Sequence, residues 1–384
     1  MITPKNVEQV FVYKNPELAH ALNQVSIITL QNGEVLMGYN EERYPHHADT
    51  GQSCFIKSKD GGKTWDPATR KVIWPYTDVM GNWDCVFSQL SDGTILMHTR
   101  VCGAIAPWGI KSEGEQMLGG PPPGNPGRLR RQIGYAILKS KDNGNTWTDP
   151  IPVNTSPVPD WGVSGPFPAV SMIGAGGSGA GHIIELPDKG LIFALSGRIK
   201  PGEWQSFMMR SDDGGDNWEF FSTMAYDPAG IIGWGEPGMT RLKDGKLVCL
   251  YRTSHLPGRQ DNMWFNYSLN DGITWSLLER TSLWGYPADI LQLQDGRVLA
   301  VYGYRKEPWG VRGCVSQDGM TWDIKDEFVI REGGAAARDS GRLYWHIGYP
   351  TVTQIKDGTI IVAFHEFSDD KPPIQYLRCT RFTL

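Results

Sequence analysis

The chain has 384 residues, of which 40% are hydrophobic, and its 37 basic and 42 acidic residues leave a net charge of −5. This acidic balance argues against a protein that binds nucleic acid or an anionic membrane, because such proteins usually present a basic face. The sequence contains no run of 18 or more apolar residues, so it predicts no membrane-spanning helix. The first residues lack the charged and apolar regions of a signal peptide. We therefore expect a cytoplasmic location, with secretion left open.

The composition favours a β protein without a metal or organic cofactor. Forty-six glycines and fifteen tryptophans are typical of a turn-rich chain with aromatic side chains between its sheets. The six cysteines include no CxxC pair, and most of them lie in apolar runs. Because cysteine behaves as a small hydrophobic residue in protein cores, we predict buried free thiols and not disulfides or metal ligands.

Six stretches of the chain each contain two apolar, β-branched runs on either side of a tight turn. In chain order they read SIITLQNGEVLMGYN, CVFSQLSDGTILMHTR, HIIELPDKGLIFALSGR, GMTRLKDGKLVCLYR, ILQLQDGRVLAVYGYR and TVTQIKDGTIIVAFHE. The Asn-Gly, Asp-Gly or Lys-Gly pair supplies the positive φ angle that a tight hairpin needs. Each stretch therefore predicts a β-hairpin.

A second repeated unit follows five of these hairpins. It reads SKDGGKTW from Ser58, SKDNGNTW from Ser140, SDDGGDNW from Ser211, SLNDGITW from Ser268 and, shortened, SQDGMTW from Ser316. Its Asp can accept backbone N–H bonds across a turn, its Gly suits a left-handed backbone, and its Trp can pack between sheets. We therefore expect these octets to be structural turns.

Two hairpins per repeat predict an all-β fold, a six-bladed β-propeller with four-stranded antiparallel blades. The sixth repeat has no octet and ends in the strand IQYLRCTRFTL. An N-terminal strand around EQVFVYK is expected to complete its sheet. A single domain would then cover residues 1–384, with a long insertion in the second blade at about 103–132 that could form a lid or a partner contact.

The octets resemble the Asp-boxes of the sialidase (neuraminidase) superfamily, whose pattern is Ser-x-Asp-x-Gly-x-Thr-Trp. Three copies match this pattern well, whereas Asn270 and the shortened copy at Ser316 depart from it. The resemblance implies a propeller with five Asp-box turns. It also implies an exo-acting glycoside hydrolase that cleaves a terminal acidic sugar, such as sialic acid or a related sugar, from a glycan or small glycoside.

Positions at a fixed distance from the hairpin turns carry polar side chains where plain packing would place Val, Ile or Leu. Because equivalent strand ends meet at one mouth of a propeller, this pattern predicts a site there. The positions eight residues before and after the turn are Glu236 and Arg252, Tyr349 and His365, Asp84 and Arg100, Gln24 and Asn40, and Pro287 and Gly303.

The resemblance assigns roles to some of these residues. In EPGMTRLKDGKLVCLYR and GYPTVTQIKDGT, the family pattern makes Tyr349 the nucleophile and Glu236 its base. A phenol with a pKa near 10 needs such a base to attack at neutral pH. The family places its acid/base Asp just before the first Asp-box, which corresponds to Asp49. His46, His47, Glu41 and Glu42 are the alternatives to Asp49.

Sialidases hold the substrate carboxylate with three arginines, since a guanidinium binds a carboxylate bidentately. Arg252 matches one of them, and Arg305, or alternatively Arg312, matches another. The first, from an Arg-Ile-Pro motif, is missing in HALNQVSII, and Arg43 or Arg100 could substitute for it. The further candidates for substrate binding are Asp84, His47, Trp234 and His365.

Two other functions remain open at this point. A propeller polysaccharide lyase or rhamnosidase-like enzyme could use His46 or His47 with a Tyr and an Arg on a uronic acid, and this would explain the missing arginine. A non-catalytic propeller could bind glycans without turnover. The sequence indicates neither the sugar nor the oligomeric state.

Overall fold

A computed structural model of the chain describes residues 2–15, 22–42, 51–77, 80–107, 128–153, 173–174, 181–198, 204–256, 259–334, 336–337, 343–344, 348–368 and 374–384. Within these ranges the chain forms strands and turns, with two short 3-10 helices at Pro67–Thr69 and Ile324–Asp326. None of the helices in the described part of the chain could span a membrane. The all-β class predicted from the hairpin pattern is confirmed.

The strands follow the predicted hairpins closely. The first nine are β1 (Lys5–Tyr13), β2 (Leu22–Thr29), β3 (Val35–Glu42), β4 (Gly51–Ser58), β5 (Lys71–Trp74), β6 (Met80–Gln89), β7 (Ile95–Pro107), β8 (Arg128–Ser140) and β9 (Ile151–Pro152). The next ten are β10 (Ile173–Gly174), β11 (Ile184–Glu185), β12 (Leu191–Arg198), β13 (Trp204–Ser211), β14 (Glu219–Ala225), β15 (Ile232–Arg241), β16 (Leu247–His255), β17 (Arg259–Gln260), β18 (Trp264–Ser268) and β19 (Glu279–Arg280). The last nine are β20 (Ala288–Gln292), β21 (Val298–Tyr304), β22 (Gly310–Ser316), β23 (Glu327–Glu332), β24 (Ala336–Ala337), β25 (Leu343–Tyr344), β26 (Gly348–Gln354), β27 (Ile360–Phe367) and β28 (Gln375–Thr383).

The described strands form five sheets of four or more strands and one two-stranded sheet, β24 with β25. One sheet holds β2 to β9, in which two runs of four strands are joined only through the pair Gly51 and Asn82. The other large sheets hold β10 to β14, β15 to β19, β20 to β23, and β26 to β28 with β1. In the last of these, Val10 of β1 lies opposite Cys379 of β28. The prediction that an N-terminal strand completes the final sheet is therefore confirmed.

Backbone N–H groups in one run of strands donate hydrogen bonds to side chains of a neighbouring run, because buried donors need a partner. These bonds run from Phe87 N to Ser26 Oγ (3.0 Å), from Ile183 N to Ser88 Oγ (2.7 Å), from Glu236 N to Ser196 Oγ (3.3 Å), from Val352 N to Asp289 Oδ2 (2.9 Å) and from Ile27 N to Thr351 Oγ1 (2.9 Å). On the turn side, Lys243 N donates to Gln292 Oε1 at 2.7 Å. The runs of strands therefore contact one another in chain order.

The octets are turns held by their own side chains. In the first, Ser58 Oγ donates to Asp60 Oδ1 at 2.8 Å and Thr64 N donates to the same oxygen at 2.9 Å. Partial burial raises the pKa of Asp60, but the hydrogen bonds from Thr64 and Ser58 outweigh it and lower that pKa to about 2. Asn270 makes the equivalent bonds in the fourth octet, with Thr274 N at 3.0 Å. The predicted structural role of the octets is confirmed.

Apolar side chains fill the space between neighbouring sheets. Trp65 of the first octet packs with β27 and β28 side chains, and Trp147 of the second lies 6.0 Å, between ring centroids, from Phe87. Cys54, Cys85, Cys249, Cys314 and Cys379 are buried free thiols in these layers, as predicted.

Candidate active site

The strands that begin four of the hairpins, β2, β6, β15 and β26, each contain a bulge at the same place. In each strand the bulge sets the direction of one polar side chain. Register shifts occur at this point of β2, β6, β15 and β26. The bulged residues adopt left-handed backbone angles, with φ of 58° at Gln24, 62° at Asp84, 48° at Glu236 and 47° at Tyr349. A bulge redirects a side chain and is frequent beside active sites. Positive φ in four non-glycine residues is a strained arrangement that concentrates at functional positions.

Glu236 lies between Tyr349 and Arg252. The Tyr349 hydroxyl donates to Glu236 Oε1 at 3.3 Å, and Arg252 Nη1 donates to the same oxygen at 2.9 Å. Arg252 is fixed from its other side, because its Nε donates to Gln260 Oε1 at 3.1 Å. Glu236 Oε2 is buried and has no hydrogen-bond partner among the described residues. One oxygen of the carboxylate therefore faces the phenol, and the other is buried without a partner in the described part of the chain.

Tyr349 is held as a neutral phenol. Only 5% of the residue is exposed, and burial, followed by the negative charge of Glu236, raises the pKa of Tyr349 above its usual value. Arg305 and Arg252 act in the opposite direction and do not reverse the shift. The ring stacks on His365, with 5.8 Å between centroids. A buried phenol of this kind reacts only when a base removes its proton, and Glu236 is the carboxylate in contact with it.

Arg305 lies directly after β21, beside Tyr349. Its guanidinium carbon is 4.8 Å from the Tyr349 ring centroid and 4.8 Å from that of Tyr286. Arg252 lies 4.2 Å from the same Tyr286 ring, so the two guanidinium groups share one aromatic side chain. Arg305 is 7% exposed, and its Nε and Nη2 have no hydrogen-bond partner among the described residues. Buried N–H donors of a charged group are expected to bind an anion.

We refer to Glu236, Arg252, Tyr286, Arg305, Tyr349 and His365 as the Tyr349 cluster. A second carboxylate and arginine occupy the equivalent positions on β6 and β7. Asp84 Oδ2 is 2.8 Å from Arg100 Nη2, and the Arg100 guanidinium lies 4.3 Å from the Trp83 ring centroid. The predicted residues Asp84 and Arg100 are thus paired with each other.

The structure does not bring every predicted residue to the cluster. Trp234 is buried in an apolar layer with its ring against Trp264, at 6.0 Å between centroids, so it offers no face to a sugar. Arg312 packs on Tyr304 and donates to the Arg331 carbonyl, away from Tyr349. Glu41 is paired with Arg70. Asp49, Arg43, His46 and His47 lie outside the described residues.

Sequence reasoning missed Tyr286, on which both guanidinium groups stack. The count around the fifth hairpin turn gave Pro287, one position later, and the aromatic neighbour was a signal that could have been used. Within the described ranges, no group of three or more His, Cys, Asp or Glu side chains could hold a metal ion. The cluster can therefore supply a nucleophile, a base and two cations from its own side chains.

The family described as a BNR repeat-like domain matches residues 82–362 of the chain. The chain belongs to the BNR repeat-like family. The match covers most of the sheets and every residue of the Tyr349 cluster except His365. Comparison with curated protein sequences gave no match.

This BNR repeat-like protein is similar to several solved structures. A Dyadobacter fermentans protein of unknown function is 23% identical, with a TM-score of 0.78 over 99% of this chain and 98% of that one. The Hadza microbial sialidase Hz136 is 16% identical, with a TM-score of 0.67 over 98% of this chain and 68% of that one. The NanB sialidase of Streptococcus pneumoniae is 14% identical, with a TM-score of 0.65 over 98% and 70%. The family match thus confirms the predicted BNR repeats, and these structures confirm a sialidase-like fold.

Proposed function

We propose that the protein is an exo-acting glycoside hydrolase that removes a terminal acidic sugar from a glycan or small glycoside. The observation that carries this proposal is the contact between the Tyr349 hydroxyl and Glu236 Oε1, 3.3 Å apart, beside the buried guanidinium of Arg305 and the half-buried guanidinium of Arg252. Two of the similar structures are sialidases, and this agrees with the proposed reaction class.

The proposed reaction uses the contact between the Tyr349 hydroxyl and Glu236 Oε1. The phenolic oxygen of Tyr349 attacks the anomeric carbon while its proton passes to Glu236 Oε1, and the bond from that carbon to the leaving oxygen breaks. An acid must protonate the leaving oxygen, and Asp49 is the residue we propose for this step. In the second displacement Asp49 takes a proton from water, the water oxygen attacks the anomeric carbon, and the aryl glycoside bond to Tyr349 breaks while Glu236 returns the proton to the phenolic oxygen. Two displacements at one carbon give retention of configuration.

The two arginines support an anionic sugar as substrate. Arg305 has two N–H donors without partners in the described part of the chain, and Arg252 lies across the same Tyr286 ring. A neutral Tyr349 also approaches an anionic sugar with less repulsion than a carboxylate nucleophile would. We propose that the substrate carboxylate binds between these guanidinium groups.

We also propose that six four-stranded sheets close into one propeller over residues 1–384, with the insertion at about 103–132 on the second blade. Two observations support this arrangement. The sheet of β2 to β9 divides into two four-stranded runs at a single residue pair. A hydrogen bond also connects the last run of strands to the first, because Ile27 N on β2 donates to Thr351 Oγ1 on β26.

The test is turnover of fluorogenic glycosides of sialic acid, uronic acids and neutral sugars by wild type, Tyr349→Phe and Glu236→Gln. We expect cleavage of an acidic glycoside, and a loss of kcat of about 10³-fold or more in both variants, because each removes one half of the nucleophile and base pair. Tyr376→Phe is the matched control, since the Tyr376 hydroxyl on β28 donates a similar hydrogen bond to Glu366 Oε1 (2.7 Å) outside the Tyr349 cluster.

Full activity of Tyr349→Phe would refute the nucleophile assignment. Inverted product configuration in an NMR time course would refute it independently. An unsaturated product absorbing in the ultraviolet would replace hydrolysis by lyase chemistry, and sugar binding without turnover would leave only a binding function.

A further inference from the structure

One aromatic ring supports both guanidinium groups of the Tyr349 cluster. Tyr286 lies two residues before β20, and its ring centroid is 4.2 Å from the guanidinium carbon of Arg252 and 4.8 Å from that of Arg305. The two guanidinium carbons are therefore at most about 9 Å apart, which is the sum of these two distances. Two cations at this separation repel each other, whereas the negative face of an aromatic ring attracts both. The Tyr286 ring thus favours their close approach.

A ring supports a guanidinium group without occupying its N–H donors. Elsewhere in the chain the Nε and Nη2 atoms of an arginine together bind one carboxylate, as in Arg280 with Asp261, Arg297 with Asp295 and Arg331 with Glu366. In Arg305 the same two atoms are buried and have no hydrogen-bond partner among the described residues. These atoms form the edge of the group that binds a carboxylate bidentately. A carboxylate side chain in place of Tyr286 would occupy this edge, whereas the ring leaves both donors unused.

Tyr286 is itself held in place by its neighbours. Its backbone N–H donates to the carbonyl of Gly303 on β21 at 2.9 Å, two residues before Arg305. The Trp284 ring packs edge-on against the Tyr286 ring, with 5.6 Å between centroids and 71° between the ring planes. Lys306 Nζ in turn lies 3.8 Å from the centroid of Trp284. The position of the Tyr286 ring is therefore set by packing and does not depend on a bound ligand.

Tyr286 is the support of Arg305 that takes no part in the proposed chemistry. Arg252 is also held by hydrogen bonds from its Nε and Nη1 to two side-chain oxygens, at 3.1 and 2.9 Å. Arg305 contacts Tyr349 besides Tyr286, and its guanidinium carbon is 4.8 Å from each ring centroid. Because Tyr349 is the proposed nucleophile, a change at Tyr286 alters the support of Arg305 and leaves the reacting group intact.

We propose that Tyr286 is the positioning residue of the anion site. The negative face of its ring holds Arg252 and Arg305 at a separation where one carboxylate contacts both, and it leaves the Nε and Nη2 donors of Arg305 for that carboxylate. This inference rests on the proposed function, because it concerns the same anion. It makes the preference for an acidic ligand depend on the ring of an uncharged side chain.

The experiment measures binding, so that it does not depend on turnover. The probes are N-acetylneuraminic acid and D-glucuronic acid, each compared with its methyl ester, which lacks the charge. Kd is measured by titration calorimetry for wild type, Tyr286→Phe, Tyr286→Leu and a protein with ring-trifluorinated phenylalanine at position 286. Fluorine withdraws negative charge from the ring face and changes the shape of the ring little. The control is the same set at Tyr376, whose ring centroid lies 5.3 Å from the Arg378 guanidinium carbon outside the Tyr349 cluster.

We expect wild type to bind at least one acid about tenfold or more tightly than its methyl ester. Tyr286→Phe should keep this preference, whereas Tyr286→Leu and the trifluorinated ring should reduce it about tenfold, because each removes the attraction between ring and cations. The Kd of the ester should stay unchanged. Phenylalanine and its trifluorinated form fill the same space, so a difference between them reports the charge of the ring face and not packing. This comparison decides the matter even where Tyr286→Leu unfolds.

Equal Kd values for the phenylalanine and trifluorinated proteins would overturn the role of Tyr286. So would an equal loss in the Tyr376 set, or a wild type that prefers neither acid to its ester. The expected order of Kd values without hydrolysis of any glycoside would refute the proposed reaction and keep the role of Tyr286. Hydrolysis of an acidic glycoside with the same KM in the phenylalanine and trifluorinated proteins would keep the reaction and refute that role.

Discussion

The left-handed backbone at Gln24, Asp84, Glu236 and Tyr349 predicts an unusual order of stability between glycine and alanine. In an ordinary strand, glycine is less stable than alanine by about 0.5–1 kcal/mol. At positive φ, the Cβ of alanine is strained, so glycine should be more stable by about 1 kcal/mol per position. Both substitutions remove the functional side chain, and the comparison therefore isolates the backbone. For all four positions together, the difference should reach about 4 kcal/mol.

The assay compares thermal unfolding of the fourfold glycine variant with that of the fourfold alanine variant. With an unfolding entropy of about 2.1 cal/mol/K per residue, a difference of 4 kcal/mol corresponds to roughly 5 °C in Tm for 384 residues. The same pair at Cys249, a buried residue of β16 without positive φ, should show alanine as the more stable. An alanine set as stable as the glycine set would refute the strain argument.

Three other outcomes follow from the structure. Arg305→Lys should lower kcat/KM for an acidic glycoside by about 10²-fold and leave kcat/KM for neutral glycosides unchanged, because lysine cannot offer two parallel donors to a carboxylate. Equal losses of kcat/KM for both classes of glycoside would contradict a role of Arg305 in anion binding. Hydrogen bonds lower the pKa values of Asp60 and Asp142 to about 2, so they contribute stability above the unfolded pKa of about 3.9 that is lost as the pH falls through 2. Asp60→Asn with Asp142→Asn should therefore reduce the dependence of unfolding on pH between 4 and 2, and Asn270→Asp should increase it. Burial lowers the pKa of His182, but the charge of Asp289 outweighs burial, so the pKa is raised above its usual value. The protonated histidine therefore stabilises the fold below pH of about 6.5, and this stability is lost as the pH rises through the folded pKa. His182→Gln should abolish this loss when the free energy of unfolding is measured between pH 6 and 9.

The fold was predictable because each hairpin carries its own local signal. An Asn-Gly, Asp-Gly or Lys-Gly turn between two β-branched runs specifies a hairpin without knowledge of the rest of the chain, and six such turns specify the repeat. The missing sixth octet pointed to the pairing of β1 with β28, a contact between the two ends of the chain. That inference succeeded because the last repeat supplies only three strands, β26 to β28, and β1 adds a fourth.

The site was only partly predictable. Counting eight residues from each turn found Glu236 and Tyr349, because all four bulges add their extra residue at the same point of the strand. The bulges themselves have no sequence signature, so the strained backbone could not be foreseen. Trp234 was predicted to bind substrate, but its side chain packs in the apolar layer between sheets. The position of a residue near a strand end does not indicate which side of the strand its side chain takes. Asp49 lies outside the described residues, and its role stays a prediction.

The pairing of β1 with β28 also affects the order in which the sheets can be completed during folding. Val10 and Cys379 are opposite each other although 369 residues separate them in the chain. The sheet that carries Tyr349 on β26 thus needs both β1 and β28. Contacts of such long range form slowly, since the loop they close is long. A chain whose other sheets had folded would keep an unpaired edge on β28 until β1 reached it, so we expect the sheet that carries Tyr349 to be completed last.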